Sequence, residues 1–441
     1  MTSYFHPENR AQKSKGRNQK VQKTSKFLFA GFILFFLFKP LNTHGITLDQ
    51  AIEKAMENLP QYRSKVYLRE SQLYEYRATL SPYLPQLDLS ASQKRIYVEP
   101  EDYDLRSLEL RLSYLLFDGG KRYSQRLSSK TLLKIADEEL RQSLLELQYN
   151  VKVAFYNSLA KREILEHRKV QLRYAEKNFE VAKGRHELGV ARLSEVLQAS
   201  VRLEEARSRV IDAEGELKKS LAELSSLIGI NIKGEELEGE LSEIENIPEK
   251  TLLLENAMNS PEVKKIEFQK ELNLSERILA RSDFLPSIYL DATYTRNSSS
   301  DARLYPEQEK SIGLRLTFNI FELRKFLRLK ATGSSLKAKE EDIKEAKRTI
   351  ELKISKAYED LMTELKRLEV AKEQLRFAEK NYEQAFGEYK VGKGDILSLI
   401  QSESLLADAK EKLTASKLNI WIAVINLERV AGISDLILTK E

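Results

Sequence analysis

The chain has 441 residues, of which 32% are charged; it contains no Cys and four His, and its formal charge is +5. The lack of Cys excludes a disulfide framework, a thiolate metal site and a lipid-modified N-terminal Cys. Gly and Pro are few, which favours long helices over a loop-rich enzyme. The positive charge says nothing about partners: residues 1–45 hold eight Lys or Arg against one acid, and without them the formal charge falls from +5 to −2.

The first element lies in that basic segment. Phe27–Phe38, FLFAGFILFFLF, is a run of twelve apolar residues, well short of the about 20 needed to span a bilayer as a helix. A basic stretch before it and small residues at Thr43 and Gly45 after it describe a cleavable export signal over 1–45. The basic run abuts a signal core, so no nucleic-acid partner is expected. No later stretch approaches 18 consecutive apolar residues, so any membrane crossing by the rest must use strands.

Two copies of one plan follow. Residues 172–185 read LRYAEKNFEVAKGR and residues 375–388 read LRFAEKNYEQAFGE, with nine of fourteen positions identical. The match extends outward, pairing Leu59-Pro60 with Ser260-Pro261, Leu84-Pro85 with Leu285-Pro286, and Gly229-Ile230 with Gly432-Ile433. An offset that drifts only between 201 and 203 residues marks an internal repeat. One unit spans 46–230 and the other 248–433, joined by a connector at 231–247 and followed by a tail at 434–441.

Each unit has the same inner order. A short helix (Tyr62–Leu80, Glu262–Ser282) ends before Pro. Period-2 alternation then predicts strands over 84–97 and 107–117, and over 285–297 and 310–321, with polar loops at Tyr97–Arg106 and Arg296–Lys310. A Pro-free long helix is expected over 121–187 and 325–388, then a Gly-marked turn and a return helix over 194–228 and 395–430. At 1.5 Å per residue the long helix reaches about 100 Å, and the two short ones placed end to end nearly match it. The duplicated phrase thus builds the same part of a helical wall twice.

The strands carry the functional argument. Asp88, Glu109, Arg111, Asp291 and Arg315 fall on polar faces suited to a water-filled lumen, with Leu and Ile facing lipid. A barrel needs at least about eight strands, so four per chain require a dimer or larger. A conduit favours three or more chains, because eight strands fill their own interior.

With these residues in view, the chain resembles the TolC-like outer membrane efflux proteins, the outer membrane factors of tripartite efflux or type I secretion systems. The carriers are ITLDQAIEKAMENLPQ, SPYLPQLDLSAS, LFDGGKR, HELGVARLSEVLQA and YKVGKGDILSLIQS, in order and duplicated. The resemblance implies an α+β membrane protein: a homotrimer with a twelve-stranded outer-membrane β-barrel continued by a long antiparallel α-helical barrel in the periplasm. It implies a passive exit duct without catalytic residues or cofactor, served by a periplasmic adaptor (membrane fusion protein) and an inner-membrane pump of RND, ABC or MFS type. Carried over by position, Gly189, Arg192, Gly392 and Gly394 are the adaptor-docking tips. Glu195, Tyr389, Ser398 and Gln401 form the periplasmic gate, with a Glu195–Tyr389 hydrogen bond. Ser398 and Gln401 stand where some members have acids, and Phe321-Glu322-Leu323-Arg324 lacks the Gly pair of the first barrel exit, Gly119-Gly120.

Two rival classes read differently. An enzyme would need chemistry that His167 and His186, both on the long helix, do not supply; there is no HExxH spacing and no Gly-rich phosphate loop. A soluble periplasmic coiled-coil or adaptor protein would use the long helices but leaves the amphipathic strands without a purpose.

Overall fold

The computed structural model describes residues 45–434 apart from 98, 100–101, 234–236, 245–246 and 300–304. The expected export signal and nearly all of the C-terminal tail lie outside the described residues.

The first repeat opens with α1 (Leu48–Asn58), α2 (Pro60–Ala78), β1 (Gln86–Ile96) and β2 (Tyr103–Phe117), then runs through α3 (Lys121–Glu187) and α4 (Leu193–Ile228). The second copies it: α5 (Lys250–Met258), α6 (Pro261–Ser282), β3 (Ser287–Ser299), β4 (Gln308–Thr317), α7 (Leu323–Lys390) and α8 (Ile396–Ala431). Helices α1 and α5 were not expected. Thr47 starts α1 with a reciprocal cap: its Oγ1 accepts from the Gln50 N–H at 3.4 Å, and the Gln50 side chain accepts from the Thr47 N–H at 3.2 Å.

These two short helices seed two cores. Ala51 and Ala55 of α1 pack on Val151, Phe155 and Leu159 of α3 and on Leu224 and Ile228 of α4. Leu253 and Ala257 of α5 pack on Ile350, Ile354 and Leu361 of α7 and on Val424 and Leu427 of α8. The connector joins the first core through Ile232, Leu237 and Leu241. Trp421 of α8 stacks on Tyr156 of α3 at 4.2 Å and donates to the Ser242 carbonyl at 3.0 Å. Between repeats, Lys152 of α3 meets Glu428 of α8 at 2.8 Å with both side chains buried.

The short helices meet end to end. Asn58 Nδ2, just before α2, donates to the carbonyl of Ile228, the last residue of α4, at 2.9 Å. Gly229 closes α4 with φ 73°, and a Cβ there would stand 2.6 Å from Asn58 Cβ. Gly432 closes α8 with φ 74°, where a Cβ would meet Ser260 Cα at 3.1 Å. Glycine is needed at both joints for a left-handed cap and for close approach.

All four strands form one antiparallel sheet in the order β1-β2-β3-β4. Its ends differ from the periodicity reading. Residues 103–106 join β2 instead of a loop, because Ile96 pairs with Tyr103 and Gln93 with Arg106. Likewise Arg296–Ser299 and Gln308–Lys310 lie in strands. Strand β4 stops at Thr317 rather than 321, because its partner β3 starts at Ser287, just after Pro286, and nothing remains to pair with. The first barrel exit is capped by Asp118, which accepts from the Gly120 N–H at 3.0 Å and the Arg122 N–H at 2.7 Å.

Replacing Gly229 by Ala combines left-handed strain with a steric clash, so a loss of about 2–4 kcal/mol is expected. The same change at Gly189, where φ is 71° but the space is open, should cost only about 1–2 kcal/mol. Thermal unfolding followed by circular dichroism checks the order; equal losses would contradict the end-to-end joint.

Candidate functional site

Two regions hold the predicted site residues: the helical tips and the sheet. At the first tip α3 ends in a left-handed Gly189, with the Gly189 N–H bonded to the His186 carbonyl at 2.9 Å and the Val190 N–H to the Arg185 carbonyl at 2.8 Å. The second tip repeats this at Gly392, φ 82°, where the Lys393 N–H reaches the Glu388 carbonyl at 2.9 Å. Such bonds satisfy helix-end carbonyls in a very short turn. Gly394 serves close approach instead: a Cβ there would lie 3.1 Å from Glu388 Cβ and from the Tyr389 nitrogen. Around these turns Leu188, Val190, Leu193 and Val391 are exposed.

Arg192 caps α4, its N–H donating to Glu195 Oε1 at 3.3 Å. The other oxygen of that carboxylate crosses to the second repeat, where Tyr389 Oη donates to Glu195 Oε2 at 3.3 Å. Tyr389 is fully buried. The Arg185 guanidinium lies over its ring at 4.5 Å, and Arg185 Nη1 donates to the Tyr389 carbonyl. Burial, then the Glu195 charge, pushes the Tyr389 hydroxyl above its ordinary range, so it remains a donor at neutral pH.

Ser398 and Gln401 do not join that contact. The Ser398 N–H and hydroxyl both donate to Asp395, at 2.8 and 3.0 Å, capping α8. These bonds, the backbone one first, hold the Asp395 carboxyl below its usual range. Gln401 is exposed.

Deeper along the helices is a group that sequence reasoning missed. Glu403 of α8 is 1% exposed and Arg202 of α4 is 6% exposed, their Oε1 and Nε 3.4 Å apart. Asn178 of α3 donates to Glu403 Oε2 at 2.8 Å. Burial raises the Glu403 carboxyl, against the pull of Arg202 and Asn178. No pattern of spacing marks this pair; only tertiary packing buries it.

On the sheet, the register puts the five polar residues on one face. Asp88 is opposite Arg111, Ser90 opposite Glu109, and Ser113 opposite Asp291. Arg315 Nε donates to Asp291 Oδ2 at 2.8 Å, Ser113 Oγ to Asp291 Oδ1 at 2.8 Å, and Arg111 pairs with Glu109 at 2.7 Å. The opposite face shows Leu87, Leu89, Leu108, Leu110, Ile312 and Leu314, all exposed. Among the described residues β1 and β4 each pair on one side only.

An open sheet with one polar and one aliphatic face, set on helices of about 100 Å, defines a membrane channel protein rather than an enzyme. The model of the outer membrane efflux protein family matches residues 51–230 and again 252–433, and the chain belongs to that family. Solved structures share the fold. The chain is 17% identical to CusC at a TM-score of 0.77, covering 90% of this chain and 95% of that one. It is 16% identical to VceC of Vibrio cholerae at 0.75, covering 87% and 96%. It is 18% identical to the open state of MtrE of Neisseria gonorrhoeae at 0.75, covering 88% and 89%. A comparison with curated protein sequences finds no match. The protein is thus an outer-membrane channel with a periplasmic helical extension, the exit duct of a tripartite efflux system. Channels of this family work as trimers with adaptor proteins and inner-membrane pumps.

The raised Glu403 carboxyl has a pH signature. Its folded form binds a proton more tightly than its unfolded form, so its contribution to stability falls as pH rises above the ordinary carboxylate value of about 4.3. Glu403→Gln keeps a partner for Asn178 and removes that dependence. The difference in melting temperature between wild type and variant, followed from pH 4 to 8, should shift against the wild type as pH rises; a constant difference would contradict the assignment.

Proposed function

We propose that three copies of this chain close a twelve-stranded barrel, with Asp88, Glu109, Arg111, Asp291 and Arg315 lining its lumen. The observation that carries this reading is the sheet itself, with two unpaired edges and an aliphatic face open to its surroundings. Helix α2 supports it: none of its residues is buried within one chain, and Val66, Tyr67, Leu68 and Tyr74 are exposed. Those side chains find cover against a neighbouring subunit.

At the other end, Gly189, Arg192, Gly392 and Gly394 shape the tips that meet the periplasmic adaptor. The Glu195–Tyr389 contact, held by Arg185, keeps the mouth narrow. Because it links the first repeat to the second, its rupture lets one hairpin swing away from the other. Ser398 and Gln401 add no carboxylate at the second tip, which leaves Glu195 and the Ser398-bonded Asp395 as the acids beside the gate, and cation block there is weak. Cargo is chosen upstream, by a pump of RND, ABC or MFS type.

Purified protein in planar lipid bilayers should give stable, water-filled conductance; a preparation that is folded and oligomeric yet never conducts would sink the reading. Tyr389→Phe removes one bond to a charged group at a long distance, worth about 1 kcal/mol. The resting leak of that variant should therefore rise about fivefold, whereas an unchanged leak would remove Tyr389 from the gate.

A further inference from the structure

The aliphatic face of the sheet does not stay aliphatic to its far end. Starting from the helices, rows across the strands read Phe117–Ile288–Leu316, Tyr114–Leu290–Leu314, and Leu87–Leu112–Ala292–Ile312. The next row, Leu89–Leu110–Tyr294–Lys310, introduces a cation on β4. One row further, Arg296 appears on β3; one more brings Arg106 on β2, opposite Ser298; the last brings Arg95 on β1, opposite Asp104. Each strand thus contributes one cation, one row later than its neighbour.

That diagonal follows the stagger of the sheet. Strand β4 starts at Gln308 opposite Arg296, β3 ends at Ser299 opposite Leu105, and β1 ends at Ile96 opposite Tyr103. The strand ends climb from β4 to β1 in the same sense as the cations. One row of about 6.6 Å per strand spacing of about 4.8 Å is a slope of about 54°, so in a barrel whose strands tilt about 40° such a line runs close to level, climbing about 2 Å per strand. It forms a belt just beyond the aliphatic band and short of the hairpin ends. From Phe117 to Leu108 that band covers about 30 Å of strand, or about 23 Å of height once tilted, close to the apolar band of outer-membrane barrels.

Among the described residues the belt has more positive charge than the acids paired with it offset. All four cations are exposed. Asp104 stands opposite Arg95, and Glu307 is 3.9 Å from Arg296. Among the described residues Arg106 and Lys310 have no carboxylate within ion-pair distance. The helix-side end of the sheet is built otherwise: Lys121 pairs with Asp283 at 3.1 Å, Arg122 with Asp118 at 3.2 Å, Arg324 with Glu322 at 2.7 Å and Arg328 with Asp283 at 3.1 Å. An underpaired cation beside hydrocarbon invites an anion tethered to acyl chains. Guanidinium groups offer forked donors that match phosphate oxygens.

We propose that the Arg95–Arg106–Arg296–Lys310 belt docks the phosphate groups of phosphorylated glycolipid in the outer leaflet, with Leu89, Leu108 and Leu110 against its acyl chains. This rests on the outer-membrane placement of the barrel, in which the hairpin ends opposite the helices face outward. Docked lipid fixes the depth of the barrel and its seal.

The test uses the purified full-length oligomer and native mass spectrometry. The probes are diphosphorylated lipid A, fully dephosphorylated lipid A of the same acyl composition, and inorganic phosphate alone. The wild type should retain the diphosphorylated lipid in preference to the dephosphorylated one. The triple variant Arg106→Gln, Arg296→Gln, Lys310→Gln should lose about tenfold or more of that retention. A control variant, Arg324→Gln with Arg328→Gln, should bind as the wild type does. Equal retention of both lipids by the wild type, or undiminished retention by the triple variant, overturns the proposal. Equally tight binding of inorganic phosphate also overturns it, because it marks a site for soluble anions. Planar-bilayer conductance of the same preparations separates this from failure of the channel reading, since a wild type that conducts without lipid preference loses only the belt. If the triple variant does not fold, Arg106→Gln alone carries the test, with a loss of about fivefold expected and none contradicting the belt.

Discussion

Inside hydrocarbon no water is available to satisfy a strand's outer N–H and C=O groups, each of which costs several kcal/mol if left bare. Strands β1 and β4 each carry one such unpaired edge among the described residues, and the aliphatic face between them has no cover in a single chain. The proposed barrel answers both demands at once, with edge meeting edge between chains until the ring closes. In that proposal three chains supply twelve strands, which leave a wet interior where eight would not.

The internal repeat carries the same economy into the periplasm. Each copy supplies one long helix and two short ones that meet end to end, at Asn58–Gly229 in the first and Ser260–Gly432 in the second. Cores around α1 and α5 lock these joints at equivalent heights. At the tips the copies diverge. The duplicated fourteen-residue phrase ends in Arg185 in one copy and Glu388 in the other. Arg185 lies over the ring of Tyr389, and Glu195 of the first repeat reaches the same residue of the second. A symmetrical scaffold thus holds an asymmetrical contact, with the Tyr389 ring buried in a third cluster beside Ala182, Ile396 and Leu399.

The long Pro-free helices and alternating strands were legible because periodicity is a local property. What depended on partners was not. Strand β2 reaches back to Tyr103 because Ile96 pairs with it, and β4 stops at Thr317 because β3 begins after Pro286. Helices α1 and α5 are only 11 and 9 residues long and sit against Pro60 and Pro261; α1 does carry a helical apolar face, Leu48, Ala51, Ile52, Ala55 and Met56, behind its Thr47 cap, so its signal was present, whereas α5 shows no clear period. The positions of Glu195 and Tyr389 came from resemblance to a family rather than from spacing, while their 3.3 Å contact is visible only in three dimensions. Arg185 and the buried Arg202–Glu403 pair went unmarked, since charged residues on a helix read as solvated until packing covers them; Asp395 is instead an exposed N-cap of α8, a local signal that went unread.

Closure by neighbouring chains can be read directly, because the protein has no Cys to interfere. In one chain β1 and β4 are separated by two strands, about 14 Å in all, too far for a disulfide, which needs Cα atoms within about 7 Å. Cysteines placed on the two free edges, Ser90→Cys with Ser311→Cys or Gly313→Cys and their neighbours in register, should oxidise in outer membranes to covalent dimers and trimers on a denaturing gel. If every edge pair yields monomer alone, the barrel is not closed by sibling chains.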